Sequence, residues 1–244
     1  MIDIHCHIIP NVDDGSDGIE TSLMMSAMAV DDGVRSIIVT PHFVQGGEGC
    51  AERFEWLSEC ADSLRAEISA AGIPLKIYMG AEVLLTPDTV NMQKSFGFFP
   101  RMNDTEYSLV EFFFDADPET MNSYLSSLLD SGIVPIIAHP ERYTAVQKKR
   151  RTAEMWVEMG CFLQVNKGSF QGQFGRRAEK TAVWMMENRL ASFLATDAHN
   201  HADRTTRLKA VADMLSGKYG EDYIALLTSE NPKRIIEGKQ ILRF

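Results

Sequence analysis

Short apolar segments alternate with longer stretches of helical periodicity along the whole chain. Seven segments rich in β-branched and aliphatic residues predict buried strands, at residues 2–7, 35–40, 75–80, 107–112, 134–138, 162–165 and 192–195. Between them, apolar spacing predicts helices over residues 19–31, 51–71 and 118–131, each followed closely by a glycine. Asn231-Pro232 is expected to cap a short closing helix. Strands alternating with helices are typical of β-α units in a parallel sheet.

The number of predicted β-α units favours a barrel over an open sheet. A chain of 244 residues with 45% hydrophobic composition is long enough to bury one large core. Barrels of this length commonly form one domain, and no repeat or linker interrupts the sequence. We therefore expect one α/β barrel domain over residues 1–244, although periodicity alone leaves a doubly wound sheet open.

The charge balance excludes one class of partner. The formal net charge is −10 at pH 7, with 24 basic and 34 acidic residues. Proteins that coat phosphate backbones gather lysine and arginine into basic stripes, so nucleic acid is not an expected partner.

The chain also lacks the sequence signals of export. Its first residues already have the pattern of a strand, and no apolar run reaches the roughly 18 residues of a membrane span. We therefore expect a cytoplasmic protein without membrane insertion. The four cysteines, at positions 6, 50, 60 and 161, form no C-x-x-C pair, which predicts free thiols.

Most of the histidines and several acidic residues fall where predicted strands end. The histidines are His5, His7, His42, His139 and His199, and the acidic residues are Asp14, Glu82, Glu111 and Asp197. The carboxyl ends of parallel strands meet on one face of an α/β barrel, so these side chains are expected to lie together. His201, the sixth histidine, is expected to be an exposed loop residue.

Histidine and carboxylate side chains together are typical metal ligands. His5 and His7 are two residues apart on a strand and so share one face, although such a pair alone is equally compatible with an ordinary half-buried strand. Five histidines and four carboxylates exceed what one ion needs, which predicts two or three metals. Three divalent ions against four carboxylates leave a net positive site, and this favours a phosphate dianion as the ligand.

The blocks that carry these residues resemble the PHP (polymerase and histidinol phosphatase) superfamily, in particular its bacterial tyrosine-protein phosphatases of capsule and exopolysaccharide operons. The blocks are Asp3-Ile4-His5-Cys6-His7, Asp13-Asp14-Gly15, Thr40-Pro41-His42, Gly80-Ala81-Glu82, Leu109-Val110-Glu111-Phe112, Ala138-His139-Pro140-Glu141-Arg142-Tyr143 and Thr196-Asp197-Ala198-His199-Asn200. The resemblance implies a distorted TIM-like (β/α)7 barrel that holds three divalent metal ions, usually Mn2+, with Zn2+ or iron as alternatives. The implied metal ligands are His5, His7, Asp14, His42, Glu82, Glu111, His139, Asp197 and His199, with Glu82 as the bridging carboxylate.

Two arginines match arginines of the family motifs. Arg142 follows His139 by three positions, and Arg204 follows His199 by five, in a loop where many relatives carry a Gly-Arg-Pro run. A guanidinium can bind two phosphoryl oxygens at once and stabilise charge that grows in the transition state. The alternative for either residue is a solvated surface arginine.

The resemblance implies a protein-tyrosine phosphatase that uses a metal-activated hydroxide. Its expected substrate is a phosphotyrosine protein, a bacterial tyrosine autokinase that controls capsule or exopolysaccharide synthesis, with residues 43–50 and 171–177 forming the pocket rim. The alternatives are a phosphoesterase acting on a small molecule such as histidinol phosphate, a nuclease, for which the chain shows no basic channel, and a metal-binding protein without turnover. A thiolate mechanism is disfavoured, because no cysteine is followed by arginine in C-x5-R spacing.

Overall fold

Parallel strands and helices alternate along the computed structural model, which describes residues 1–244. The strands are β1 Ile2–Asp3, β2 Ser36–Val39, β3 His42–Phe43, β4 Lys76–Met79, β5 Glu82–Leu84, β6 Tyr107–Glu111, β7 Val134–Ala138, β8 Phe162–Asn166 and β9 Phe193–Ala195. The helices are α1 Ile19–Asp31, α2 Cys50–Ala70, α3 Pro87–Val90, α4 Met92–Phe96, α5 Pro118–Asp130, α6 Thr144–Lys148, α7 Arg151–Met159, α8 Gly175–Glu187, α9 Lys209–Tyr219, α10 Glu221–Ala225 and α11 Asn231–Ile236. No helix is both long and apolar enough to cross a membrane.

All strand pairs are parallel, in the orders β1-β2-β4 and β3-β5-β6-β7-β8-β9. β3 and β5 continue two of the predicted strands after a break, which is why seven predicted strands appear as nine. Pro41, just before β3, has no N–H for a ladder hydrogen bond. The two breaks stay aligned, because Gly80 N donates to Val39 O at 2.9 Å and Glu82 N donates to Pro41 O at 3.1 Å. The predicted α/β class is confirmed.

Hydrogen bonds join the chain after β9 to the chain after β1. Asp197 N donates to His5 O and His7 N donates to Ala198 O, both at 2.8 Å. The first strand is shorter than predicted, because Asp3 Oδ1 accepts hydrogen bonds from His5 N and Thr196 N in place of a regular ladder. His5 and His7 therefore lie beyond β1, at the seam between the first and last strands.

The apolar core lies on both faces of the strands. A cluster of 51 buried residues fills the side that the helices cover, and a second cluster of 12 occupies the opposite face. On β7, for example, Ile137 belongs to the first cluster and Ile136 to the second, as the alternation of a strand requires. Ile235 of α11 and Ile241 of the C-terminal segment also belong to the smaller cluster.

The closing helix begins where the sequence predicts, but Asn231 does not cap it. The Asn231 amide is fully buried and makes no capping hydrogen bond within the helix. Instead, Asn231 Nδ2 donates to Ser192 O and Leu242 O at 3.1 and 2.9 Å, and Leu242 N donates to Asn231 Oδ1 at 2.9 Å. These three hydrogen bonds connect the start of α11 to Ser192, just before β9, and to the C-terminal segment.

We expect Asn231→Ala to lower the free energy of unfolding by about 2–3 kcal/mol, since it leaves buried backbone groups without partners. Urea denaturation followed by circular dichroism measures the change. The matched control is Asn91→Ala, which removes one exposed hydrogen bond to Pro87 O and should cost about 0.5 kcal/mol or less. Equal losses in the two variants would contradict the role given to Asn231.

Candidate metal centre

A polar cavity of about 190 Å³ opens where the strands end. It is lined by Asp14, His42, Glu82, Glu111, Phe114, His139, Arg142, Asp197, His199 and Arg204. His5 and His7 lie beneath it and are fully buried. The five histidines and four carboxylates proposed from the sequence therefore meet at one place, as expected for the carboxyl face of a parallel α/β fold.

The donor atoms of these nine residues fall into overlapping groups whose members lie within 4.8 Å of one another. The groups are His7, Asp14, His42 and His199; His5, His139 and Asp197; His5, His7 and Glu82; and His42, Glu82 and Glu111. Glu82 belongs to two of these groups, so its carboxylate could bridge adjacent ions.

Strand register places the cluster's central members. His42 begins β3 and Glu82 begins β5, and the two are direct partners in the ladder. Glu111, the last residue of β6, pairs with Leu84. His139 and Asp197 follow β7 and β9 with φ angles of 34° and 50°, in the left-handed region that is unfavourable for such residues. This local strain lies where strands give way to the site.

The surroundings of Glu82 Oε2 show that a cation fits at the centre of the cluster. Three imidazole nitrogens approach it, His5 Nε2 at 3.1 Å, His42 Nδ1 at 3.2 Å and His7 Nε2 at 3.3 Å. None of these contacts has hydrogen-bond geometry, so the buried oxygen has no hydrogen-bond partner. Imidazole nitrogens that surround a carboxylate oxygen without hydrogen bonding to it suit a shared metal ion.

The buried ionisable groups of the cluster shift one another's pKa values. Burial alone would raise the pKa of Glu82, but His5 and His139 hold it well below its usual range. Burial alone would lower the pKa of His7, but the hydrogen bond to Asp13 and the adjacent Glu82 carboxylate raise it well above its usual value. Burial and the nearby His7 lower the pKa of His199 to about 4, so this imidazole is neutral at pH 7. Protonated imidazoles thus balance carboxylates at positions where divalent cations could replace the protons.

Asp13 supports the cluster, although the sequence argument did not select it. Its Oδ2 accepts hydrogen bonds from His7 Nδ1 at 2.8 Å and from His42 N at 3.0 Å. Burial would raise its pKa, but the hydrogen bond and charge of His7, together with the N–H groups of Gly15 and His42, lower the pKa to about 2. A charged acceptor on Nδ1 fixes the imidazole so that Nε2 faces the cluster. Its position next to Asp14 in the sequence could have indicated this role.

Gln164 and Asn166 form a second support on β8. Gln164 Oε1 lies 2.8 Å from His5 Nδ1, and Gln164 Nε2 donates to Asn166 Oδ1 at 2.8 Å. Asn166 Nδ2 then donates to Asp197 Oδ2 at 2.6 Å. The two amides occupy alternate positions of an otherwise apolar strand, the same spacing as His5 and His7, which is a readable sequence signal.

Arg142 and Arg204 both line the cavity, and both contact the Asp197 carboxylate. Asp197 Oδ2 forms an ion pair with Arg204 Nη2 at 2.6 Å and accepts a hydrogen bond from Arg142 Nη1 at 3.4 Å. A tight turn places Arg204, because Asn200 Oδ1 accepts the N–H groups of residues 202, 203 and 204. Lys167 secures the following loop by donating to the carbonyls of residues 205 and 207. Arg204 therefore reaches the cavity without a Gly-Arg-Pro run.

Two phenyl rings bracket Arg142. Its guanidinium carbon lies 4.4 Å from the centroid of Phe114 and 4.2 Å from that of Phe174. No residue of the two predicted rim segments, 43–50 and 171–177, lines the cavity, although Phe174 of the second segment packs on Arg142. All four cysteines are free, as predicted, and none lines the cavity. His201 is exposed, also as predicted.

A polar cavity at the carboxyl ends of parallel strands, lined by histidines, carboxylates and two arginines, defines an α/β barrel-like protein with a metal-binding type of site. A family model described as "Capsular polysaccharide synthesis, CpsB/CapC" matches residues 1–237. The chain belongs to this CpsB/CapC family.

Curated relatives cover the chain from end to end. The tyrosine-protein phosphatase YwqE of Bacillus subtilis is 33% identical over 246 residues, which span 100% of this chain and 94% of YwqE. The tyrosine-protein phosphatase CpsB of Streptococcus pneumoniae is 32% identical and spans 99% of this chain and 100% of CpsB.

Solved structures agree with the fold. A chain from the crystal structures of YwqE from B. subtilis and CpsB from S. pneumoniae, metal-dependent tyrosine phosphatases, has a TM-score of 0.89 at 31% identity and covers 100% of this chain and 97% of that one. A histidinol phosphate phosphatase from Lactococcus lactis has a TM-score of 0.53 at 15% identity, covering 90% and 93%. That second likeness concerns the fold alone.

We expect Asp13→Asn to weaken the binding of Mn2+ or Zn2+ about tenfold or more, because a neutral amide holds His7 less firmly than a carboxylate does. Isothermal titration calorimetry measures the affinity. Asp17→Asn is the matched control in the same loop, since Asp17 is exposed and accepts from Thr21 Oγ1 only. Unchanged affinity in both variants would remove Asp13 from the site.

Proposed function

We propose that the protein is a metal-dependent protein-tyrosine phosphatase. The observation that carries the proposal is the convergence of nine nitrogen and oxygen donor residues and two arginines on one cavity. Family membership and the tyrosine phosphatases among the relatives support the same reaction.

The proposed cofactor is a set of three divalent cations, Mn2+ first, with Zn2+ or iron as alternatives. Their proposed ligands are His5, His7, Asp14, His42, Glu82, Glu111, His139, Asp197 and His199. The four overlapping donor groups support more than one ion. Bound divalent cations would lower the pKa of water from about 15.7 to about 7 and attract phosphoryl oxygens.

The chain itself would hold and orient the phosphoryl group. Arg142 and Arg204 both reach the cavity from the side of Asp197, so their guanidinium groups can bind phosphoryl oxygens while Asp197 keeps them in place. The phenolate of tyrosine, with a pKa near 10, leaves with less help from a proton donor than an alkoxide would.

The phenyl ring of Phe114 at the cavity favours an aryl phosphate over a phosphate ester without a ring. Phe114 lines the cavity and remains 43% exposed, so its ring is available to a substrate. Aromatic rings pack on one another with a gain of about 0.5–1.5 kcal/mol beyond their area. A phosphotyrosine whose phosphate meets the arginines can place its ring against Phe114.

The proposed physiological substrate is a bacterial tyrosine autokinase that controls capsule or exopolysaccharide synthesis. The description of the family, which concerns capsular polysaccharide synthesis, supports this assignment. The proposed location of the reaction is the cytoplasm.

The direct test compares three substrates with the purified protein: a phosphotyrosine peptide, para-nitrophenyl phosphate and histidinol phosphate. We expect the two aryl phosphates to be hydrolysed, with activity lost after chelation and restored by Mn2+. Arg142→Ala should lower kcat/KM about a hundredfold or more, because a group that stabilises transition-state charge is lost.

The matched control is Arg151→Ala, since Arg151 is exposed, pairs with Glu158 and does not line the cavity. Activity that survives chelation would exclude the metal-dependent mechanism. Preference for histidinol phosphate would replace the proposed substrate.

We expect Phe114→Ala to lower kcat/KM for a phosphotyrosine peptide about threefold to tenfold, as the loss of one aromatic contact predicts. Hydrolysis of a small alkyl phosphate should change less, because it has no ring to lose. Phe113→Ala is the control, since Phe113 is adjacent and 59% exposed but does not line the cavity. The same loss on aryl and alkyl substrates would show that Phe114 only positions Arg142.

A further inference from the structure

A groove with a cationic lining lies outside the cavity. Arg150, Arg176 and Lys180 line this space of about 390 Å³, and the Arg150 guanidinium lies 5.1 Å from the centroid of the Trp184 ring. We call it the basic groove. Its acidic lining residues are Glu179 and Glu187, and Glu187 Oε1 already lies 3.8 Å from Lys218 Nζ.

The cations of the basic groove are unpaired. Arg150, Arg176 and Lys180 are exposed, and none forms an ion pair with a carboxylate. The next residue, Arg151, behaves differently, because it binds Glu158 through two bonds of 2.6 Å. In a chain of net charge −10, a group of unpaired cations on one surface is a local reversal of sign.

Neighbours of the groove residues along the chain add to this charge. Lys148, Lys149 and Arg177 are also exposed and form no ion pair. The basic groove therefore lies within a wider cationic surface that attracts anionic groups over about a Debye length, roughly 10 Å at 0.1 M salt.

Both chain segments that carry these cations start from contacts with Arg142. Phe174, whose ring packs on Arg142, precedes Arg176 by two residues. Gln147 Nε2 donates to the carbonyls of Glu141 and Arg142 at 2.9 and 3.4 Å, and Arg150 follows three residues later. Two or three residues span at most about 7–11 Å, so the basic groove begins beside the cavity rim.

We propose that the basic groove binds acidic residues that flank the phosphotyrosine of a protein substrate. This inference rests on the proposed phosphatase function. An extended peptide advances about 3.3–3.6 Å per residue, so carboxylates a few positions from a phosphotyrosine bound at Arg142 reach Arg150, Arg176 and Lys180. Such rim charges act on association and substrate choice more than on the chemical step.

The test compares two phosphotyrosine peptides of equal length, one flanked by Asp and Glu and the other by Asn and Gln. At low ionic strength we expect kcat/KM to be about fivefold higher for the acidic peptide, and the difference to vanish at about 1 M salt. In R176Q/K180Q that preference should disappear, while hydrolysis of the neutral peptide and of para-nitrophenyl phosphate stays within about twofold of wild type. R176E/K180E should prefer a lysine-flanked peptide.

Lys76→Gln is the matched control, because Lys76 is exposed and unpaired at the beginning of β4, the strand end opposite the cavity. Equal turnover of both peptides by the wild-type protein at low salt would overturn the inference and leave the phosphatase function intact. Absence of turnover on either peptide would instead reject the phosphatase function itself. Binding of phosphatidylglycerol vesicles that R176Q/K180Q loses, with equal peptide turnover, would assign the groove to a membrane surface and overturn the proposal.

Discussion

A fully buried carboxylate must be balanced by positive charge, and Glu82 imposes this requirement on the structure around it. Its oxygens lie within 3.3 Å of four imidazole nitrogens from three separate segments, those of His5 and His7, of His42 and of His139. An unpaired charge in such a place would cost several kcal/mol. The seam between β1 and β9, the breaks that start β3 and β5, and the turn after β7 all serve to bring these rings to one carboxylate.

The same requirement explains the outer polar residues. Asp13 fixes the ring of His7, Gln164 fixes the ring of His5, and Asn166 holds Asp197. Each of these groups is itself hydrogen-bonded, so the polar network is continuous from β8 to the loop after β9. Hydrogen-bond partners of this kind fix the orientation of the side chains that could bind a metal ion.

The sequence was informative where chemistry coincides with periodicity. The seven strand segments, the extent of α1 and the nine donor residues of the cluster could all be predicted from the sequence, because polar residues at the ends of apolar strands are conspicuous. The breaks at Pro41 and Gly80, the short β1 and the role of Asn231 were not readable. They depend on hydrogen bonds between separate segments, such as those that Thr196 N donates to Asp3 and Leu242 N donates to Asn231. Phe114 was missed because an exposed phenylalanine has no chemical signature of its own, and Phe174 was included only as a member of the predicted rim segment 171–177.

Asp197 has a consequence for turnover. Its Oδ2 lies 2.6 Å from Arg204 Nη2 and accepts a hydrogen bond from Arg142 Nη1 at 3.4 Å. A guanidinium carries five N–H donors, so the donors that do not face Asp197 remain for phosphoryl oxygens. Each catalytic cycle therefore begins and ends with both arginines beside a protein carboxylate, and the empty cavity holds no unpaired guanidinium.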